Sequence, residues 1–492
     1  MNKESIKMNA IVNAFRVSSG IMLSIVSFPY ISRILGPENL GKVNFSSSII
    51  SYFVLIASLG IPSYGVIVCA RCRDDQEELR KTVLELLLIN TILTMISYFG
   101  FLCLLFIVDR FQQYRGILLI NSLVIIFTFI GIEWLYTAVE DFVYISIRTI
   151  AIKLITLLGF FIFVRKENDY INYALIMVLM NIASSAVNLF NARMYIRLRP
   201  LRELNFKRHI HPIITFFVAS MASTISSNTD SVMLGFMHSD NAVGLFEFSV
   251  KIKTVLCAVV TAGLAVLVPR FTNYISENDV ARYKVLLRKS MLITAALSFF
   301  LSGFFVTFSH ETIMLIGGES YLPAQSAMCI MSMSIVVMAF TWTLGVGVLQ
   351  PLGRVGCYAR VLLIACVINV LINAVVIPSA GVAGAAVATL ITEVVNAVLF
   401  YYYSRDFIRG SLSGLGFYKM LICAVLSSVS ARWVCTACCL DFFLSLATGV
   451  ILSGLLYFVF MMLWHREFRC LATANTSKYS KCAIMKGRFK RV

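Results

Sequence analysis

Apolar residues run along this chain in long blocks, without the two-residue alternation of strands. Fourteen blocks fall at about 11–35, 43–69, 82–108, 116–139, 142–164, 170–192, 211–235, 243–269, 290–309, 322–349, 358–378, 382–403, 416–435 and 443–465. Each is close to the roughly 20 residues that a helix needs to cross about 30 Å of hydrocarbon. The polar breaks between blocks are short, as in "ILGPENLGKV" (34–43) and "RCRDDQEELRK" (71–81). The pattern predicts an all-α polytopic membrane protein with about 14 transmembrane helices, since a membrane barrel would show alternating strands of about ten residues.

Composition agrees. Of 492 residues, 59% are hydrophobic and 14% charged, with a mean hydropathy of +0.85. The opening "MNKESIKMNAIVNAFRVSSGIMLSIVSFPYISRIL" has a basic start, but its apolar part is of spanning length and lacks a small-x-small cleavage site. It reads as a retained first helix and not as a signal peptide.

Charge then orients the helices. With the N-terminus in the cytoplasm, the cytoplasmic breaks hold Arg71, Arg73, Arg80 and Lys81, then the run from Arg193 to Arg208, then Arg282, Lys284, Arg288 and Lys289. The tail after His465 is also basic, and the opposite side carries few cations, among them Lys42, Arg110, Arg115, Arg165 and Lys166. This positive-inside bias fits an even helix count with both termini cytoplasmic. Much of the net charge of +17 is thereby topology and contact with anionic lipid, and no nucleic-acid partner is implied. The 13 cysteines are scattered and odd in number. They suggest neither a disulfide framework nor a metal site, and the "CTACC" cluster reads as packing near a helix end.

The chain also repeats itself. "LGPENLGKVNFS" (35–46) is echoed by "LGFMHSDNAVGLFEFS" (234–249), with Gly41, Phe45 and Gly60 matching Gly244, Phe248 and Gly263 at a displacement of 203 residues. "LRKT" (79–82) is echoed by "LRKS" (287–290). Six helices precede the second copy, so the halves share orientation, as in a parallel transporter repeat. The expected organisation is a six-helix bundle over 1–195, a cytoplasmic linker over 196–210 and a second bundle over 211–406. An additional helix pair over 407–465 and a basic tail over 466–492 lie outside the duplication.

A charge at mid-membrane costs about 2.5–3.5 kcal/mol on the insertion scale, so such residues usually face a cavity or a partner. The candidates are Arg16 and Arg33 on helix 1, Glu133 on helix 4, Arg148 and Lys153 on helix 5, and Asp230 on helix 7. Helix 8 adds Glu247, Lys251 and Lys253, and helix 12 adds Glu393. Each has a plainer reading: Glu247 and Lys251 stand at the spacing of a helical ion pair, and Arg16 and Arg33 are close enough to helix ends to snorkel. Asp230 sits in "SSNTDSVMLG", a polar helix face better suited to a cavity than to lipid. Gly36, Gly41, Gly60, Gly65, Gly381 and Gly384 suit close helix packing or hinges, and Pro29 is the stronger hinge candidate. No P-loop, HExxH or acidic pair on a substantial loop occurs, so neither an ATP-driven pump nor a membrane enzyme is supported.

The stretches "ISRILGPENLGKVNFSSSIISYF", "GIPSYG", "GIEWLYTAVEDFVYISIRTIAIKLITLLGFFIFV", "NTDSVMLG" and "INVLINAVVIPSAGVAGAAVATLITE" resemble the polysaccharide biosynthesis transporters, the O-antigen flippase family. The resemblance covers about residues 8–405, and Cys69 and Cys72 depart from it. It implies two six-helix bundles around a cleft of alternating access, shared with multidrug and oligosaccharidyl-lipid exporters. The implied substrate is an undecaprenyl-diphosphate-linked oligosaccharide in the bacterial cytoplasmic membrane. A glycan polymerase and a chain-length regulator are the implied partners besides membrane lipids. No cofactor is expected beyond a coupling proton, a sodium ion or the membrane potential, and the basic candidates are available to the diphosphate. A drug or cation antiporter and a peptidoglycan-precursor flippase of the same fold remain as alternatives, with a glycan polymerase or acyltransferase as the alternative from another class.

Overall fold

A computed structural model describes residues 3–193, 195, 204–409 and 414–472. The expected linker and basic tail fall largely outside the described residues. In chain order the helices are α1 (Lys3–Ser58), α2 (Ile61–Arg71), α3 (Gln76–Ile107), α4 (Asp109–Gln113), α5 (Arg115–Phe127) and α6 (Glu133–Ala138). There follow α7 (Phe142–Phe163), α8 (Tyr170–Ala192), α9 (Lys207–Met237), α10 (Asp240–Ser276), α11 (Val280–Thr307) and α12 (Ser309–Ile316). The last five are α13 (Gln325–Leu344), α14 (Val355–Ile408), α15 (Phe417–Ala437), α16 (Phe442–Trp464) and α17 (Arg466–Ala472). Among the described residues there is no strand.

Eleven helical stretches are long and apolar enough to cross a membrane, and Arg115–Ile130 is a shorter apolar one. Two of the eleven, Met22–Arg71 and Val355–Ile408, are long enough for two crossings at 1.5 Å per residue. Each contains a sharp break where a glycine takes a positive φ, Gly36 at 70° and Gly381 at 50°. Such backbone costs an L-residue steric strain and costs glycine none. The break in α1 therefore falls at Gly36, whereas Pro29 stays within regular helix.

Polar helix starts are capped by the residues that precede them. The Asp75 carboxylate accepts from the Glu77 and Glu78 N–H groups at 3.0 and 3.1 Å, which satisfies two orphan donors of α3. Asp141 accepts from the Tyr144 N–H, and Asp279 from that of Arg282.

The chain divides into two compact units, Met1–Gly244 and Leu245–Val492. In the first, α9 packs along α1 and α2. Part of its core comprises Ile61, Leu86, Trp134, Leu135 and Tyr136, all buried. The repeated glycines meet here. A Cβ on Gly41 would collide with the Asp240 carbonyl, and one on Gly244 with the Pro37 carbonyl. Close backbone approach, as at membrane helix crossings generally, is what these two positions need.

In the second unit, Tyr283, Leu287, Met291, Val361, Phe400 and Met420 form one buried cluster. The additional helices α15 and α16 pack on each other and on α11. On α16 the buried positions are Ser445, Gly449, Ser453, Tyr457 and Met461, a four-residue spacing along one face. Its large side chains Ile451, Leu455 and Leu463 are exposed. Small residues inside over Ser445, Gly449 and Ser453, with large apolar residues outside, invert the pattern of a soluble helix, because lipid and not water is the solvent.

Candidate functional site

The block expected as one helix over 116–139 is divided. α5 ends at Phe127, a 3-10 turn covers Thr128–Ile130, and α6 begins at Glu133. Gly131 and Ile132 interrupt the helix in a run whose hydropathy never falls. Glu133 is therefore the first residue of a short helix and not a mid-helix charge. Its carboxylate lies where the helix dipole favours an anion.

Two arginines converge on that carboxylate. Arg148 of α7 reaches Glu133 Oε2 at 2.6 Å, and Arg16 of α1 lies 3.7 Å from Oε1. The Arg148 side chain is 5% exposed, against 47% for that of Glu133, and Arg148 also donates to Asn188 of α8. A third cation stands close by. The Lys153 ammonium lies against Gly20, leaving no room there for a Cβ. Gly20 is one turn past Arg16, on the same face of α1. Two arginines on α1 and α7 thus share a single carboxylate, with Lys153 of α7 against the next turn of α1.

The other candidates are placed elsewhere. Arg33 is exposed on α1, about 25 Å along the helix from Arg16 by its rise. Asp230 of α9 is buried, and the adjacent Thr229 hydroxyl shares a 2.9 Å hydrogen bond with Tyr52 of α1. In the second unit Glu247 is half-buried and Lys251 exposed, while Lys253 lies 3.8 Å from Glu393 of α14.

The first unit also holds a cavity of about 520 Å³ between α1, α5, α8 and α9. Ser51, Asn121, Asn181, Ser223, Ser227 and Asn228 are among its lining residues. The polar face around "SSNTDS" does line a cavity, but through residues 220–228 and not through Asp230.

Three buried ionic groups escaped the reading of the sequence. Glu85, fully buried on α3, accepts from the Asn205 N–H at 2.6 Å, from Arg208 Nη2 at 2.6 Å and meets His209 Nε2 at 2.7 Å. It fastens the start of α9 to the first unit. A lone acid inside "VLELLLIN" was a visible signal, whereas its partners looked like linker charges. Arg288 of α11 pairs with Glu467 of α17 through two contacts, at 2.6 and 3.2 Å. Arg432 of α15 pairs with Glu311 of α12. Those partners lie 179 and 121 residues apart, and no local pattern joins them.

The chain belongs to the family described as "Polysaccharide biosynthesis protein", whose profile matches residues 6–275. It is 20% identical over 407 residues to an Escherichia coli (strain K12) protein named "Putative O-antigen transporter", covering 82% of this chain and 98% of that protein. A Haloferax volcanii protein named "Probable low-salt glycan biosynthesis flippase Agl15" is 25% identical over 193 residues, 39% of this chain and 40% of that one. Among solved structures, the lipid II flippase MurJ superposes with a TM-score of 0.73 at 12% identity, covering 94% of this chain and 99% of its own. A multidrug resistance MATE family transporter of the MOP superfamily gives 0.62 at 16% identity, with 82% and 99% covered. These two likenesses show the fold, a MurJ- and MATE-like membrane bundle.

Proposed function

We propose that this chain is a flippase for polyprenyl-diphosphate-linked oligosaccharide, working by alternating access in the bacterial cytoplasmic membrane with both termini cytoplasmic. Its task is transport and not bond-making chemistry, in line with the names of its relatives. The observation that carries the reading is the sharing of one half-exposed carboxylate, Glu133, by Arg16 and the buried Arg148, with the Lys153 ammonium against Gly20 one turn along α1. Guanidinium groups gathered on a shared carboxylate within a membrane protein suit an anionic ligand that can exchange with it. A diphosphate bearing about two negative charges is such a ligand, and arginine forks match its oxygens.

The physical problem also fits. A glycan head cannot shed its water in hydrocarbon, while a polyprenyl tail is at home there. Outward movement of a diphosphate runs down an inside-negative potential and gains roughly 2.3 kcal/mol per charge per 100 mV. The potential is therefore our preferred driving force. Coupling to a proton or sodium ion through the buried Asp230 is the second reading. The unit released outside is the expected substrate of a glycan polymerase acting with a chain-length regulator.

The test is a deletion strain in which surface glycan is stained and lipid-linked oligosaccharides are extracted from the same cells. Loss of surface glycan with diphosphate-linked units held in the inner leaflet supports the flippase. Units that cross but stay unpolymerised would return the enzyme reading, and unchanged pools would point to drug or cation transport.

A further inference from the structure

The cavity in the first unit differs chemically from the cationic cluster. Ten of its sixteen lining residues are serine, threonine or asparagine. Among the described residues that line it, none is charged and none is aromatic. The α9 contributors, Ser220, Ser223, Thr224, Ser227 and Asn228, recur every three or four residues, so one face of that helix is polar over these two to three turns. Asn181, Ser223 and Ser227 have no hydrogen bond to any described residue. Their donors and acceptors are open to whatever fills the cavity.

This lining speaks against charged ligands. An organic cation would call for a carboxylate or an aromatic face and a phosphate or uronate for a cation, whereas the remaining liners, among them Ile50, Leu55 and Met177, are apolar and suit the C–H faces of sugar rings. Hydroxyls and carboxamides both donate and accept. They match a neutral molecule dense in groups that do the same, which describes a sugar. The volume lies within the range of about 300–1,000 Å³ found for small-molecule sites.

We propose that this cavity is a saccharide subsite, which holds uncharged sugar units of the glycan head through Ser51, Asn181, Ser223, Ser227 and Asn228 while the cationic cluster holds the diphosphate. The proposal rests on the flippase reading and narrows it: the sugars seated here are neutral hexoses or N-acetylhexosamines, not uronates.

The experiment compares binding of three lipids to the purified full-length chain in nanodiscs. The probes are polyprenyl diphosphate bearing an N-acetylhexosamine–hexose disaccharide, the same lipid bearing an N-acetylhexosamine–uronate, and bare polyprenyl diphosphate. The neutral glycolipid should bind about 10-fold tighter than the bare lipid or more, at about 2- to 10-fold per hydrogen bond gained, and tighter than the uronate. The Ser223→Ala/Ser227→Ala variant removes hydroxyls without adding bulk and should erase most of that margin. Ser223→Leu, which fills the space, should erase all of it, and in both variants bare-lipid binding persists as proof of folding. Equal binding of the neutral glycolipid and the bare lipid by wild type overturns the subsite, as does an equal loss of both in the alanine variant. Wild type that binds none of the three lipids brings down the flippase reading itself, and the subsite with it.

Discussion

The two units use buried charge in different ways. In the second, two enclosed acids each meet an arginine: Glu467 meets Arg288, at 10% and 5% side-chain exposure, and Glu311 meets Arg432. Both pairs tie the additional helices to the bundle, since Glu467 lies just beyond α16 and Arg432 lies within α15. The first unit has an enclosed acid of its own, Glu85 with Arg208 and His209, but there Arg148, as buried as Arg288, meets Glu133, which is 47% exposed and shared with Arg16. Matched, enclosed pairs fix structure. A shared, half-exposed carboxylate is suited to exchanging partners, and on that ground we assign the first-unit cluster to transport and the enclosed pairs to scaffold.

The contrast is broken most severely at Glu467. Replacing it with alanine takes the carboxylate from a buried guanidinium, and breaking an enclosed pair costs about 3–5 kcal/mol. The purified Glu467→Ala protein should show a large drop in melting temperature. The Arg288→Met/Glu467→Leu double variant should recover most of it, because an apolar replacement of both ions removes the stranded charge. No recovery would mean that the pair does more than clip α17.

Arg148→Gln sharpens the comparison from the other side. The carboxylate it leaves is half-exposed and keeps Arg16 beside it, so the loss should stay near the roughly 1.5–3 kcal/mol of a charged hydrogen bond. Export of lipid-linked oligosaccharide should nevertheless collapse. A thermal loss as large as that of Glu467→Ala would put Arg148 among the scaffold charges.

A smaller effect follows from His465, which is 2% exposed. Its Nε2–H donates to the Leu415 carbonyl at 2.7 Å, and Nδ1 accepts from the Phe468 N–H at 3.1 Å. The neutral ring is satisfied on both sides, and burial holds its pKa below the ordinary histidine value. As pH falls below about 6.5, the unfolded histidine binds a proton that the folded one resists. Stability then drops by up to about 1.4 kcal/mol per pH unit until the folded pKa is reached. A melting series from pH 7.5 to 5 should show this slope, and His465→Gln should flatten it.

The least costly change is Glu393→Gln, whose contact with Lys253 is single and long at 3.8 Å. We expect a loss of about 1 kcal/mol in the same melting assay. A much larger loss would make this pair a third enclosed clip.

The helical membrane class was legible because blocks of spanning length are hard to mistake, and the break at Gly381 was legible because Pro378, Ser379 and Gly381 interrupt their block. The break at Gly131 was hidden. A turn made of apolar residues leaves hydropathy unchanged, so Glu133 looked like a mid-helix charge. The break in α1 was misread in the opposite sense: "GPENLGK" is polar, but its chain resumes the helix directly after Gly36. Arg16, Glu133, Arg148 and Lys153 could be proposed singly as costly membrane charges, whereas their convergence is a property of packing alone. Arg288 was counted as an orienting loop charge because its partner lies 179 residues away. The polar cavity was half visible, since its α9 face is local in sequence and its α1, α5 and α8 walls are not.

The central claim is that the Arg16–Arg148–Glu133 cluster of the first unit carries the diphosphate. Its most direct test is the initial rate at which a fluorescent polyprenyl-diphosphate disaccharide crosses proteoliposomes under a fixed potential. The comparison is between wild type, the Arg16→Gln/Arg148→Gln variant and the Arg288→Met/Glu467→Leu variant. The account predicts a loss of about 10-fold or more for the first-unit variant, the scale of one or two charged hydrogen bonds, and a near wild-type rate for the second-unit variant. Equal rates for all three proteins would contradict it.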